Sequence, residues 1–163
     1  MDTQHLRRAY ADFLESVRGG PFGTSASGGW SAEMVLAHVV VGDRLIAEAA
    51  GRVVAGLPVT FDNGASLSEP YLQAVIDAAD GWDGLVRAVE SGAEELLGLA
   101  HQMTDEQAAT PIASRIVSGN TVVLDHTVPV GSLVRSPADV HLRMHLQQLG
   151  ALAPAVAGRA PVA

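Results

Sequence analysis

Apolar residues recur at intervals of three and four along most of this chain, and that spacing most constrains how it can fold. Such intervals place the residues on one face of an α-helix, where they can pack against other helices. The pattern occurs in residues 2–18, 31–53, 69–101 and 136–152, and Asp80-Gly81 interrupts the third segment. Since 163 residues suit one domain, we predict a single all-α domain over residues 1–163, built as a four-helix bundle. The Ala/Pro/Gly-rich tail at residues 154–163 is expected to fray.

The composition narrows the classes of partner and compartment. Hydrophobic residues make up 48% of the chain but aromatic residues only 4%, so the core must be built from Leu, Val, Ala and Ile. A net charge of −8 argues against a nucleic-acid backbone as a partner. The chain has no cysteine, which excludes a disulfide, a thiolate ligand and a Cys nucleophile. The charged N-terminus does not resemble a secretory signal, and no apolar run approaches the roughly 18 residues of a membrane helix, so we expect a cytoplasmic protein.

Capping residues mark two of the predicted helix starts. Ser31 is placed to cap the second helix, and Trp30 before it is expected to close the end of the bundle. Ser136 is placed to cap the last helix, with Pro137 at the first helical position and Asp139 able to reach back to the cap. We therefore predict that the last helix begins at Ser136.

The two longest connections are expected to be irregular. Residues 57–68 are predicted to form a loop with its turn at Asp62-Asn63-Gly64. Residues 104–135 are predicted to form a long crossover, and its β-branched residues suggest a short hairpin centred on Ser118-Gly119-Asn120. Connections this long inside compact domains are often functional lids or covers.

Three histidines are candidate ligands of a metal ion. His141 and His145 lie four residues apart on one face of the last helix, where side chains are neighbours. His38 lies in the middle of the otherwise apolar inward face of the second helix. If these two helices face each other, three imidazoles converge inside the bundle. Three neutral protein ligands with an open fourth position are typical of a catalytic zinc site, and imidazole also suits nickel, copper and iron.

Other interpretations of the ionisable residues stay open. A histidine on an apolar helix face can be a core residue with a satisfied hydrogen bond. His5, His101 and His126 are weaker candidates, because they are predicted near the N-terminus, near a helix C-terminus and in the crossover. Asp43 could orient a metal ligand as its hydrogen-bond acceptor, or it could form a surface ion pair. Asp125-His126 resembles an acid–imidazole pair, but no serine nucleophile accompanies it by motif, so a hydrolytic triad is not favoured.

Two motifs resemble those of the DinB-like superfamily, and the branch they resemble most is the N-terminal metal-binding domain of mycothiol-dependent maleylpyruvate isomerase. The first motif is GWSAEMVLAH, from Gly29 to His38, and the second is HLRMHLQQL, from His141 to Leu149. The resemblance implies an up-down-down-up four-helix bundle that holds a divalent metal, usually zinc or nickel. Its ligands would be the residues that match the family motifs, His38, His141 and His145. The resemblance also implies a homodimer paired through exposed apolar helix faces.

The resemblance implies a function as well. We expect a metal-dependent thiol transferase or isomerase that acts on a small electrophile, with a low-molecular-weight thiol such as mycothiol as cosubstrate. A metal at the site would lower the pKa of the thiol and present it as a thiolate. No general base can be assigned. The alternative is a non-catalytic helical binding or stress-response module whose histidine cluster is vestigial or serves only packing, and a metal-dependent hydrolase is a third hypothesis.

Overall fold

A computed structural model describes residues 3–20, 22–23 and 29–152 of the protein. The predicted frayed tail lies outside the described residues, as do parts of the Gly/Ser-rich segment before Trp30. No helix within the described ranges is long and apolar enough to cross a membrane. The elements in chain order are α1 (Gln4–Arg18), α2 (Ala32–Val54), β1 (Thr60–Asp62), a 3₁₀ turn (Gly64–Leu67), α3 (Glu69–Ala78), α4 (Gly81–Gln102), α5 (Asp105–Ala108), β2 (Pro111–Ser118), β3 (Thr121–Pro129), α6 (Val130–Ser136), a π-helical turn (Pro137–His141) and α7 (Leu142–Leu152).

Helix α2 contacts more of the fold than any other helix. It packs against α3, α4, α6 and α7, while α1 packs against α4 and α7. The sequence of α2 is apolar around most of the helix, and most of its residues are accordingly buried. The predicted cap is present at its start, where the Ser31 Oγ accepts a hydrogen bond from the Met34 N–H at 3.2 Å. The core consists mainly of Leu, Val and Ala, as the composition predicts, and α1 adds the buried rings of Tyr10 and Phe13.

The predicted break between α3 and α4 is confirmed. The chain turns there through Asp80 and Gly81, whose φ angles are +57° and +84°. Gly84 follows in the first turn of α4, against the end of α3. A Cβ atom on Gly84 would lie 1.4 Å from the carbonyl oxygen of Ala79, so the backbone can approach this closely only at a glycine.

A small sheet corrects the prediction of an all-α fold. The strand order is β1-β2-β3, with β1 parallel to β2 and β2 antiparallel to β3. The predicted hairpin is confirmed, because Ser118 pairs with Thr121 and Gly119 turns the chain at a φ of +56°. The structure is thus mostly helical with one three-stranded sheet.

The predicted loop at residues 57–68 is wrong in part, because it contains β1 and the 3₁₀ turn. Asn63 continues the pairing beyond β1. Its side-chain amide donates to the Val117 carbonyl at 2.9 Å and accepts from the Val117 N–H at 2.7 Å. Asn63 and Val117 are 54 residues apart in sequence, so the pairing of the strands cannot be predicted from residues 57–68 alone.

The last helix begins earlier than predicted. Helix α6 starts at Val130, and the chain continues through the π-helical turn into α7 without an end at Ser136. Pro137 has no N–H to donate to the carbonyl of Leu133, four residues before it. The Ser136 Oγ donates to that carbonyl instead, at 2.7 Å. The serine therefore satisfies the carbonyl that the proline leaves free, and the helix continues with one widened turn.

Candidate metal centre

The structure brings the three predicted histidines together. His38 comes from α2, His141 from the end of the π-helical turn and His145 from the first turns of α7. One ring nitrogen from each lies within 4.8 Å of the other two. The Nε2 atoms of His38 and His141 are 2.9 Å apart. Among the described residues this cluster contains no carboxylate, so its donor set is three imidazoles.

Hydrogen bonds on the outer nitrogens fix two of the rings. The His38 Nδ1–H donates to the carbonyl oxygen of Ser66 at 2.6 Å, which leaves the lone pair on Nε2. The His145 Nδ1–H donates to Oε1 of Gln148 at 3.0 Å, which leaves the lone pair on its Nε2 as well. An outer hydrogen bond of this kind is what orients a metal-binding imidazole. Both lone pairs therefore belong to the nitrogens that face the cluster.

The Nε2 atom of His145 is buried and has no hydrogen-bond partner among the described residues. Between His38 and His141, a proton on one Nε2 would allow a hydrogen bond at 2.9 Å in the absence of an ion. That arrangement leaves His145 unsatisfied, and a buried unpaired acceptor costs about 1–3 kcal/mol. A cation bound between the rings would satisfy all three nitrogens. The donor set fits a divalent transition metal with a position left for another ligand.

The local environment keeps the rings neutral. Burial lowers the pKa of His141 to about 3, and a charge on His145 or His38 would lower it in the same direction. Burial also lowers the pKa of His145 to about 4, and it lowers that of His38 against the opposing effect of the Ser66 carbonyl. The neutral ring is the form that binds a metal. The three imidazoles are therefore in their ligand form at neutral pH.

Trp30 and Gly42 pack around the cluster. The ring of Trp30 lies against that of His38, with 5.1 Å between their centroids, instead of only closing the end of the fold. A Cβ atom on Gly42 would be 3.5 Å from Cε1 of His141, so the ring rests directly on the backbone of α2. His38 and His145 are 7% and 6% exposed, and His141 is half-buried. His141 is therefore the least buried ring of the three.

Asp43 takes neither of the roles predicted for it. It is 1% exposed, on the part of α2 that faces α1 and α4, and it makes no hydrogen bond to a histidine of the cluster. Its Oδ2 would lie 3.8 Å from a Cβ atom on Gly92. Burial raises the pKa of Asp43 to about 7, and the neighbouring Tyr10 hydroxyl partly opposes that rise. Within the part of the chain that the structure describes, neither Asp43 oxygen nor the Tyr10 hydroxyl makes a well-formed hydrogen bond.

The remaining histidines lie outside the cluster. His5 is exposed and contacts Asp139 at 3.4 Å, so Asp139 reaches α1 and not a cap at Ser136. His101 is exposed at the end of α4. His126 is exposed on β3, and Asp125 beside it points to the opposite face of the strand. Asp125 and His126 thus cannot act as a pair within one site.

The outer hydrogen-bond partners, Ser66 and Gln148, are residues of the candidate site that were not predicted from the sequence. Gln148 follows His145 by three residues on the same helix face, so its spacing is a signal that could have identified it. Ser66 is positioned by the 3₁₀ turn, where its Oγ donates to the Asn63 carbonyl at 2.8 Å. No local pattern places its carbonyl beside His38. Two clefts of about 460 and 430 Å³ are also present, and neither is lined by the three histidines.

The comparisons with known proteins support a relationship at the level of the fold. No family model matches this chain, and no curated protein matches it in sequence. Among solved structures, the crystal structure of the mycothiol-dependent maleylpyruvate isomerase is similar, with a TM-score of 0.69 over 91% of this chain at 15% identity. This chain spans 59% of the length of that protein. The fold of this protein is therefore similar to part of the fold of a mycothiol-dependent isomerase.

Proposed function

We propose that the protein binds one divalent metal ion, zinc or nickel, through His38, His141 and His145 and catalyses a thiol-dependent transfer or isomerisation of a small electrophile. The observation that carries the proposal is the Nε2 of His145, which is buried without a partner in the described part of the chain and lies beside two further imidazole nitrogens. The similarity in fold to a mycothiol-dependent isomerase supports a low-molecular-weight thiol of the mycothiol type as the cosubstrate.

The residues of the chain have distinct parts in this proposal. His38 and His145 present preset Nε2 lone pairs, because Ser66 and Gln148 hold the opposite nitrogens. A metal held there would supply Lewis acidity and lower the pKa of a thiol in the open position. The ring of Trp30 packs against the His38 ring on one side of the cluster. No carboxylate of the described chain belongs to the cluster, so the proton of the thiol would pass to solvent.

The architecture belongs to the same proposal. We assign α1, α2, α4 and the continuous α6–α7 helix to a DinB-like four-helix bundle of up-down-down-up topology, in one domain. The sheet is an addition to this bundle, with β1 between α2 and α3 and with β2 and β3 between α5 and α6. A cytoplasmic location and a homodimeric state stay predictions, and sedimentation of the purified protein tests the second.

Cobalt(II) substitution tests the chemistry of the open position. Coordination of a thiol to bound cobalt adds a sulfur-to-metal charge-transfer absorption in the near ultraviolet. We expect this band on addition of mycothiol or N-acetylcysteine, and no band with N-acetylserine, the matched alcohol. His126→Ala should behave as the wild type, because His126 is exposed and outside the cluster.

A second candidate function is a non-catalytic metal-binding module. It is favoured by the position of the two clefts, since neither of them opens on the histidine cluster. Cobalt that binds to the wild type but whose absorption is unchanged by either thiol would support this module and contradict the transferase proposal.

A further inference from the structure

A cleft of about 430 Å³ lies between α2, α3 and α4, away from the histidine cluster. We call it the Arg44–Arg87 cleft. Arg44 of α2 and Arg87 of α4 line it, together with Tyr71 of α3. The rest of its lining is small and apolar, including Ala74, Ala78 and Ala88. Its volume is within the range of about 300–1,000 Å³ typical of small-molecule sites.

The two guanidinium groups have no partner within the described residues. Neither Arg44 nor Arg87 makes an ion pair or a side-chain hydrogen bond there. Glu48 and Asp83 are one helical turn away from them and still leave both guanidiniums unpaired. The contrast is with Arg18, which contacts Glu90 at 2.7 Å. Two cations without an ion pair on one cleft favour an anionic ligand there, although the chain as a whole has a net charge of −8.

The lining determines what kind of anion would fit. The alanine side chains give the cleft a small, apolar lining, which we call its floor, and Tyr71 keeps 45% of its surface exposed beside it. A carboxylate matches the fork of hydrogen-bond donors on a guanidinium, and a planar apolar body matches a floor of methyl groups and an aromatic ring. We infer that the Arg44–Arg87 cleft binds a small carboxylate with an apolar or aromatic body. This site is separate from the metal centre and does not depend on the proposed function.

Benzoate is the probe, with binding followed by the amide resonances of α3 and α4 in an NMR titration of the full chain. We expect saturable binding with a dissociation constant of about 1 mM, in keeping with so small a ligand. The affinity should decrease at higher ionic strength, because the guanidinium groups are exposed. Benzamide has the same shape without the charge and should bind at least about tenfold more weakly.

Substitutions locate the site. Arg44→Gln and Arg87→Gln should each weaken benzoate binding by about tenfold or more. Arg143→Gln is the matched control, because Arg143 is exposed on α7 and lines neither cleft. All three positions are exposed, so the variants should fold, which a thermal melt checks. His141→Ala should leave benzoate binding unchanged.

Three results would each overturn the inference. The first is no saturation of the α3 and α4 shifts at about twenty times the expected dissociation constant. The second is an equal loss of affinity in Arg143→Gln, which would indicate a general charge effect. The third is binding of inorganic phosphate as tight as that of benzoate, because phosphate has no apolar body to use the floor of the cleft.

Discussion

Replacing the buried carboxyl of Asp43 should make the stability of this protein less dependent on pH. Asp43 is 1% exposed and has no ion-pair partner among the described residues, and its pKa is raised by burial from 3.8 to about 7 in the folded state. In the unfolded chain the same group loses its proton at the lower, ordinary pKa. The folded state therefore binds a proton that the unfolded state has already released, between these two pKa values.

The sign and size of the effect follow from that difference. For this carboxyl, stability is highest below pH 4, decreases as the pH rises and levels off above the folded pKa. A pKa difference of about 3 units corresponds to about 4 kcal/mol at 1.36 kcal/mol per unit. Between pH 5 and pH 8 alone, the expected change is about 3 kcal/mol. This is a large share of the about 5–15 kcal/mol by which domains are stable.

Urea unfolding of the wild type and Asp43→Asn, with a chelator present and at several values between pH 5 and pH 8, measures this effect. The asparagine cannot ionise, so only the wild type should lose stability from this group as the pH rises. The free energy of unfolding of the variant should therefore increase relative to that of the wild type by about 3 kcal/mol between pH 5 and pH 8. The histidine contribution is common to both proteins and cancels in the difference. A difference that stays constant within about 0.5 kcal/mol from pH 5 to pH 8 would refute the reasoning.

Three further predictions follow from particular contacts. Gln148→Ala should weaken zinc binding by about 10–100-fold, measured by competition with a chromophoric chelator. The control variant Gln147→Ala, at an exposed neighbouring position, should bind zinc as the wild type does. Equal zinc affinities in the two variants would contradict the role of the Gln148 hydrogen bond. Gly84→Ala should destabilise the protein by more than about 3 kcal/mol in thermal melts, because its Cβ would clash with the Ala79 carbonyl. Gly98→Ala, which has open space around it, should stabilise the protein by about 0.5–1 kcal/mol. Similar melting temperatures for the two variants would disprove the close approach at Gly84. Zinc at about 100 times its dissociation constant should raise the melting temperature of the wild type by about 5–10 °C, and a chelator should reverse this rise. A melting temperature that neither zinc nor the chelator changes would indicate that the three histidines serve only packing.

The features predicted correctly are those that neighbouring residues encode. The Ser31 cap, the turn at Asp80-Gly81 and the hairpin turn at Gly119 each depend on the backbone preference of one or two residues. The spacing of His141 and His145 is local in the same way. Their meeting with His38 required only that two apolar helix faces pack together, which the apolar pattern already indicated.

The features missed depend on distant or competing contacts. Strand β1 exists because it pairs with β2, and the three residues of β1 carry no alternation long enough to predict a strand. The Ser136-Pro137 pair has the residue types of a helix start, but here the serine hydroxyl occupies the Leu133 carbonyl that the proline cannot reach. The wrong start is therefore a case in which one sequence signature serves two different local structures.

The central claim is that His38, His141 and His145 hold one metal ion. Its most direct test is the metal content per chain, by elemental analysis of protein purified without a metal-affinity tag. We predict about one zinc or nickel per chain in the wild type and in His126→Ala, with loss of the ion in His38→Ala, His141→Ala and His145→Ala. A wild-type protein that holds no metal after incubation with zinc or nickel, or unchanged metal content in all three cluster variants, would contradict the account.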